Sequence, residues 1–166
     1  LTIRNGLLYY GHGCGVYMPR GMLTNCVVFS NNCSRTAATT PWGYGMGVYV
    51  GSGAVWNCAI SHNGSAYQNY TMGGGVFVHY TGTIAFCTIG PSNRAQYGAG
   101  VYAQQSARIR NCAIGTNHSW NMAGGAVLVS DSVIEDSVLA GNVVNGMANG
   151  GSLGGVQITG ADSALR

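Results

Sequence analysis

The stretch Gly47 to Asn63 reads GVYVGSGAVWNCAISHN. A short apolar run, Val48-Tyr49-Val50, meets a glycine break. A second apolar run ends at Asn57-Cys58, and Ile60 is followed three residues later by Asn63. The rest of the chain repeats this phrase with variation. Glycine-plus-apolar starts recur at Gly15-Val16-Tyr17, Gly47-Val48-Tyr49, Gly75-Val76-Phe77, Gly100-Val101-Tyr102, Ala126-Val127-Leu128 and Gly155-Val156-Gln157. Their valines are 32, 28, 25, 26 and 29 residues apart. A period in that range signals stacked structural repeats.

A hexad forms the second half of each unit. It reads Ile3-Arg4-Asn5-Gly6-Leu7-Leu8, then Leu23 to Val28, Val55 to Ile60, Ile84 to Ile89, Ile109 to Ile114 and Ile134 to Leu139. Positions one, four and six are apolar or small, and position three is mostly Asn or Asp. Positions four and six share a side of a strand, whereas position one has the opposite parity. A sharp bend at position three restores the match. Asparagine suits that bend because it tolerates left-handed backbone angles. Asn5, Asn25, Asn57 and Asn111 are therefore predicted bends, with Asp136 in the same column.

A second asparagine column lies five residues beyond the hexad's fourth position, at Asn31, Asn63, Asn117 and Asn142, with Ser92 at the matching place. Stacked coils place like residues at intervals of about 4.8 Å, close enough for amide side chains to bond up the stack. No window keeps a helical period, and glycine interrupts too often for one. The expected fold is all-β: a right-handed parallel β-helix of about six coils with 25–32 residues each. Residues 1–166 are read as one such domain, either a segment of a longer solenoid or a protomer that stacks. Right-handedness follows the general chirality of parallel crossovers.

Composition agrees with a turn-rich solenoid. Glycine is 28 of 166 residues with only three prolines, which excludes collagen. Apolar residues make up 46%, too many for a disordered chain. Charged residues are 7%, against about 25% in ordinary domains. The net charge of +3 comes from scattered arginines, not from the basic stripe that nucleic-acid binding requires. There is no run of about 20 apolar residues to span a membrane as a helix.

The repeats resemble the right-handed parallel β-helix proteins of bacterial surfaces. They are similar in particular to the passenger regions of polymorphic outer membrane proteins, whose paired motifs are GGA followed by an aliphatic residue, and Phe-x-x-Asn. Gly124-Gly125-Ala126-Val127 matches the first and Phe29-Ser30-Asn31-Asn32 the second. Gly74-Gly75-Val76 and Ile60-x-x-Asn63 are relaxed versions. The resemblance implies an extracellular or cell-surface adhesin or structural repeat. The wider fold class, which also holds pectate lyases and polygalacturonases, supplies an enzymatic or carbohydrate-binding alternative.

No catalytic, metal or cofactor site is expected. The acids are Asp131, Glu135, Asp136 and Asp162, all in the last 36 residues. Glycosidic hydrolysis usually needs two flanking carboxyl groups, yet Thr24, Trp56 and Ala85 occupy Glu135's column in neighbouring coils. His12, His62, His79 and His118 share neither column nor ligand spacing and are read as loop residues. Cys26, Cys58, Cys87 and Cys112 fill one interior column, with spacings foreign to zinc sites. Cys14 and Cys33 lie outside it and form a candidate disulfide suited to an oxidising compartment.

Tyr17, Tyr49, Phe77 and Tyr102 share a column that is read as an exposed aromatic strip ending at Leu128. Such strips suit sugar stacking or protein packing. Asn-x-Ser/Thr sequons occur at Asn32, Asn63, Asn69 and Asn117. Asn32 and Asn69 are the better glycosylation candidates, because Asn63 and Asn117 lie in the second asparagine column. Variable segments at 33–42, 65–72, 91–97, 118–122 and 144–152 are expected to emerge on one side as loops. Apolar alternation continues when 164–166 is read on into 1–3, so head-to-tail self-association is the expected partner mode.

Overall fold

The structure, a computed structural model, describes residues 1–9, 11–33, 43–64, 70–145 and 154–166. It is a parallel β-solenoid of about five turns, and the described residues contain no helix. Each turn visits four faces. The first face stacks Val16–Met18, Val48–Val50, Val76–Val78, Val101–Gln104, Ala126–Val129 and Val156–Ile158. The second stacks Met22–Thr24, Ala54–Trp56, Thr83–Ala85, Arg108–Arg110, Val133–Glu135 and Ala164–Leu165. The third stacks Thr2–Arg4, Val27–Phe29, Ala59–Ser61, Thr88–Ile89, Ala113–Gly115 and Val138–Ala140. The fourth stacks Gly43–Tyr44, Thr71–Met72, Arg94–Tyr97, His118–Met122 and Val143–Val144, and Leu7–Leu8 pairs Asn32–Cys33 beside it. Six strands on each of three faces make about five turns with a part-turn at either end.

Every pairing is parallel, and like residues meet like residues. Val16, Val48, Val76, Val101, Ala126 and Val156 form one column. Leu23, Val55, Ile84, Ile109, Ile134 and Leu165 form a second. Ile3, Val28, Ile60, Ile89, Ile114 and Leu139 form a third. Together with the cysteines they make one continuous core, most of it fully buried in the middle turns. Aliphatic columns of this kind are fixed in register, because a one-residue slip turns every inward side chain out.

The corners depend on left-handed residues. Between the second and third faces these are Asn25, Asn57, Phe86, Asn111 and Asp136, with φ from 47° to 54°. Between the third and fourth they are Asn5, Ser30, His62, Ser92, Thr116 and Gly141, with φ from 51° to 64°. Between the fourth and first, Gly73 has φ 67°, and a Cβ there would lie 2.4 Å from the Val76 carbonyl oxygen.

The columns correct three expectations. Asn5 is a bend, but Ile3 pairs with Val28 rather than Leu23. The first hexad therefore belongs one corner later, with Gly6 where other turns carry the ladder asparagine. Tyr102 pairs with Val127, and Leu128 pairs with Ala103 and is buried. The smaller Ala126 takes the valine position, so the aromatic column ends at Val127. Finally, 94–97 and 118–122 are strands of the fourth face rather than loops. Neighbouring strands supply their backbone partners even though their sequences show no apolar alternation.

Candidate functional site

The asparagine column runs through the corner between the third and fourth faces. The side-chain amide of Asn31 donates to Asn63 Oδ1 at 2.9 Å, that of Asn63 to Asn93 at 3.2 Å, that of Asn93 to Asn117 at 3.0 Å and that of Asn117 to Asn142 at 3.0 Å. Each amide's second hydrogen goes to a main-chain carbonyl of the preceding turn: Ile3, Val28, Ile60, Ile89 and Ile114 in order. The backbone N–H groups of Gly6, Asn31, Asn63 and Asn117 donate to the Oδ1 of the next rung. Asn31, Asn63, Asn93 and Asn117 are fully buried, and this bonding offsets the large penalty for unsatisfied interior amides.

Asn93, not Ser92, is the third rung. One extra residue at Gly90-Pro91 shifts the spacing, and Ser92 instead takes the left-handed position with φ 62°. The ladder also explains the paired glycines. A Cβ on Gly100 would lie 2.5 Å from Gly125 O, 2.7 Å from Ile114 Cγ2 and 3.0 Å from Asn117 Nδ2.

The corner between the second and third faces stacks the cysteines. The thiols of Cys26, Cys58, Cys87 and Cys112 donate to the carbonyls of Thr24, Trp56, Ala85 and Arg110, each two residues back, at 3.1–3.3 Å. The N–H groups of Cys26 and Cys58 donate to the sulfurs of Cys58 and Cys87, both at 3.4 Å. In the fifth turn Ser137 replaces cysteine and accepts the Cys112 N–H at 3.0 Å. The thiol bonds to Cys112 and Cys58, with burial, push the Cys87 thiol well above its ordinary range. Cys14 and Cys33 are both buried thiols beside Met46 and Leu8, apart from the main core.

Outward side chains form three surfaces. On the first face Tyr17, Tyr49, Phe77 and Tyr102 stack with centroids 5.0, 5.6 and 5.4 Å apart. They all point away from the core, but they do not form a uniformly exposed strip. Tyr17 is 58% exposed and Phe77 only 1%. Phe77 is enclosed because Tyr44 of the fourth face stacks on it at 4.5 Å and His79 meets its edge. His12 stacks on Tyr44, and the Tyr49 hydroxyl lies 3.3 Å from His79 Nδ1. These two histidines thus join an external aromatic cluster, His79 from the turn that follows Val78. Burial lowers the pKa of both. His62 is exposed against Phe29, and His118 lies on the fourth face.

The second surface centres on Trp56 and Phe86, whose rings are 4.6 Å apart. The Arg110 guanidinium reaches over Trp56 at 5.5 Å, across the small buried Ala85 between them. Beside them runs an open cleft of about 340 Å³ lined by Asn25, Cys26, Val27, Asn57, Cys58, Ala59, Phe86 and Thr88. The third surface is a cleft of about 350 Å³ along the asparagine corner, with Ser30, Asn32, His62, Ser92 and Arg94 at its wall. Sequence reasoning passed over the second surface, although Phe86 in an asparagine column is its signal.

None of the four acids lines either cleft. Asp131 is exposed in a turn with φ 64°, Asp136 is exposed at the cysteine corner, and Asp162 is exposed near the last strand. Glu135 is half-buried and stacks next to Arg110. Among the described residues no group of three His, Cys, Asp or Glu side chains is placed to hold a metal ion, and no helix is long and apolar enough to cross a membrane. Of the sequons, Asn32 is exposed, Asn63 and Asn117 have both amide hydrogens committed to the ladder, and Asn69 lies outside the described residues. No family model, curated protein or solved structure matches the chain.

Proposed function

We propose that this solenoid is a non-catalytic extracellular scaffold, an adhesin-type or fibre-forming surface protein. The observation that carries this reading is the buried amide ladder, which ties every complete turn to the next. A ladder of satisfied amides beside aliphatic columns gives a stiff, repetitive body, the physical property that a scaffold needs. The resemblance to outer-membrane passenger repeats, with its right-handed winding, supports the same reading. Contact with copies of the chain or with a surface ligand belongs to this proposal.

The alternative is carbohydrate binding or turnover on the same fold. It is favoured by one observation, the exposed Trp56–Phe86 pair beside Arg110 and an amide-lined cleft. Exposed aromatic faces flanked by hydrogen-bonding side chains suit sugar rings. A screen against neutral and acidic polysaccharides separates the two readings, with Asp131→Ala and Glu135→Ala as controls. The scaffold reading expects no turnover and rods or fibres in negative-stain images. Turnover abolished by either substitution overturns it.

A further inference from the structure

We propose that Cys14 and Cys33 are a disulfide-forming pair that closes the first complete turn into a covalent ring, while the stacked cysteines remain thiols. The two side chains are buried in one small cluster with Met46 and Leu8. The Cys14 thiol is hydrogen-bonded to Cys33. Cys33 is in register with Leu8, one turn below it, and Cys14 follows Leu8 at the next corner. The chain between the two cysteines runs through Val16–Met18, Met22–Thr24, Val27–Phe29 and Asn32–Cys33, one strand from each face. A bond between them encircles the solenoid once.

The stacked thiols are held differently. Each of the four donates to the carbonyl two residues back, and the Cys58 and Cys87 sulfurs also accept a backbone N–H. Turning one toward its neighbour breaks those bonds. Cys14 and Cys33 sit outside that column, in a small buried cluster of their own. The bond to Cys33 and burial raise the Cys14 thiol above its ordinary range.

The chemistry needs a small-molecule disulfide such as oxidised glutathione. One cysteine thiolate attacks it and releases one glutathione thiol, giving a mixed disulfide. The second cysteine sulfur then displaces the other glutathione. Two protein thiols are oxidised, one glutathione disulfide is reduced, and the two protons pass to the glutathione thiols. That this happens in the protein's own setting rests on the extracellular reading above. The test does not, since it is made on purified protein whatever that protein binds.

The full chain is refolded in a glutathione redox buffer, denatured, alkylated and analysed by mass spectrometry with peptide fragmentation. The expected result is four alkylated thiols and a single link between Cys14 and Cys33. Closing a ring of this size raises Tm by about 5–10 °C, reversibly with reductant. Cys14→Ala and Cys33→Ala abolish both the link and the reductant sensitivity. If either variant fails to fold, the alkylation map of the unaltered chain decides alone. Six alkylated thiols, or a link within Cys26, Cys58, Cys87 and Cys112, overturns the proposal.

Discussion

Two corners of this solenoid begin alike and end differently. At both, an inward aliphatic residue is followed by an outward one and then by a left-handed residue. Ile109-Arg110-Asn111 turns the cysteine corner, and Ile3-Arg4-Asn5 turns the asparagine corner with the same three residue types. The residue after the bend sets them apart. A cysteine thiol bonds most closely within its own turn, to a carbonyl two residues back, and its sulfur accepts a longer bond from the turn before. An asparagine bonds to the turns above and below. Bending is thus a local property of the chain, whereas the closest side-chain bonds between turns lie at the asparagine corner.

Removing a rung should break the comparison most strongly. Asn63→Ala leaves the Asn31 N–H groups, Val28 O and Asn93 Oδ1 with lost partners in a buried site. The expected loss is about 3–5 kcal/mol in urea unfolding. Gly100→Ala attacks the same corner sterically, forcing a Cβ against Gly125 O and Asn117; a loss of about 2–3 kcal/mol is expected. At the other corner, Cys87→Ala should cost only about 1–2 kcal/mol. Cys87→Ser should cost less still, because Ser137 already fills that place in the fifth turn. If the cysteine changes prove as damaging as Asn63→Ala, the two corners carry equal weight and the contrast fails.

Two smaller effects sharpen the picture. Phe86 holds a left-handed backbone with φ 54° where other turns place Asn or Asp. Phe86→Asn relieves that conformation but gives up the ring contact with Trp56, for a net gain of about 0.5 kcal/mol by the same assay. The aromatic cluster should respond to pH. Burial lowers the folded pKa of His12 and His79 below the unfolded value near 6.5. Between those values the unfolded chain binds more protons. Stability is therefore whole above about 6.5 and falls as pH drops through the lower folded values. Tm at pH 5 should lie about 1–2 °C below that at pH 7, and His79→Gln should reduce the difference.

Much of the solenoid was legible in the sequence, because stacking repeats the same demand at each turn. The cysteine column and four of the five ladder asparagines could be read from spacing alone. What escaped has particular causes. Ile3-Arg4-Asn5 satisfies either corner, so its local pattern cannot choose between them. Asn93 was hidden by the added residue at Gly90-Pro91, which breaks the five-residue interval. Arg94–Tyr97 and His118–Met122 carry no alternation, since their strand character comes from partners in other turns. The enclosure of Phe77 depends on Tyr44, a residue from another face. The Trp56–Arg110 contact joins turns that are not adjacent.

The amide column has a sense. Every Oδ1 faces the earlier turn and receives from it, and a hydrogen of every Nδ2 from Asn31 to Asn117 points to the later one. An amide rotated end for end would set oxygen against oxygen on one side and hydrogen against hydrogen on the other. The stack is vectorial, so a gene encoding it can lengthen by tandem duplication of a turn, while an inverted turn would find no place in the series.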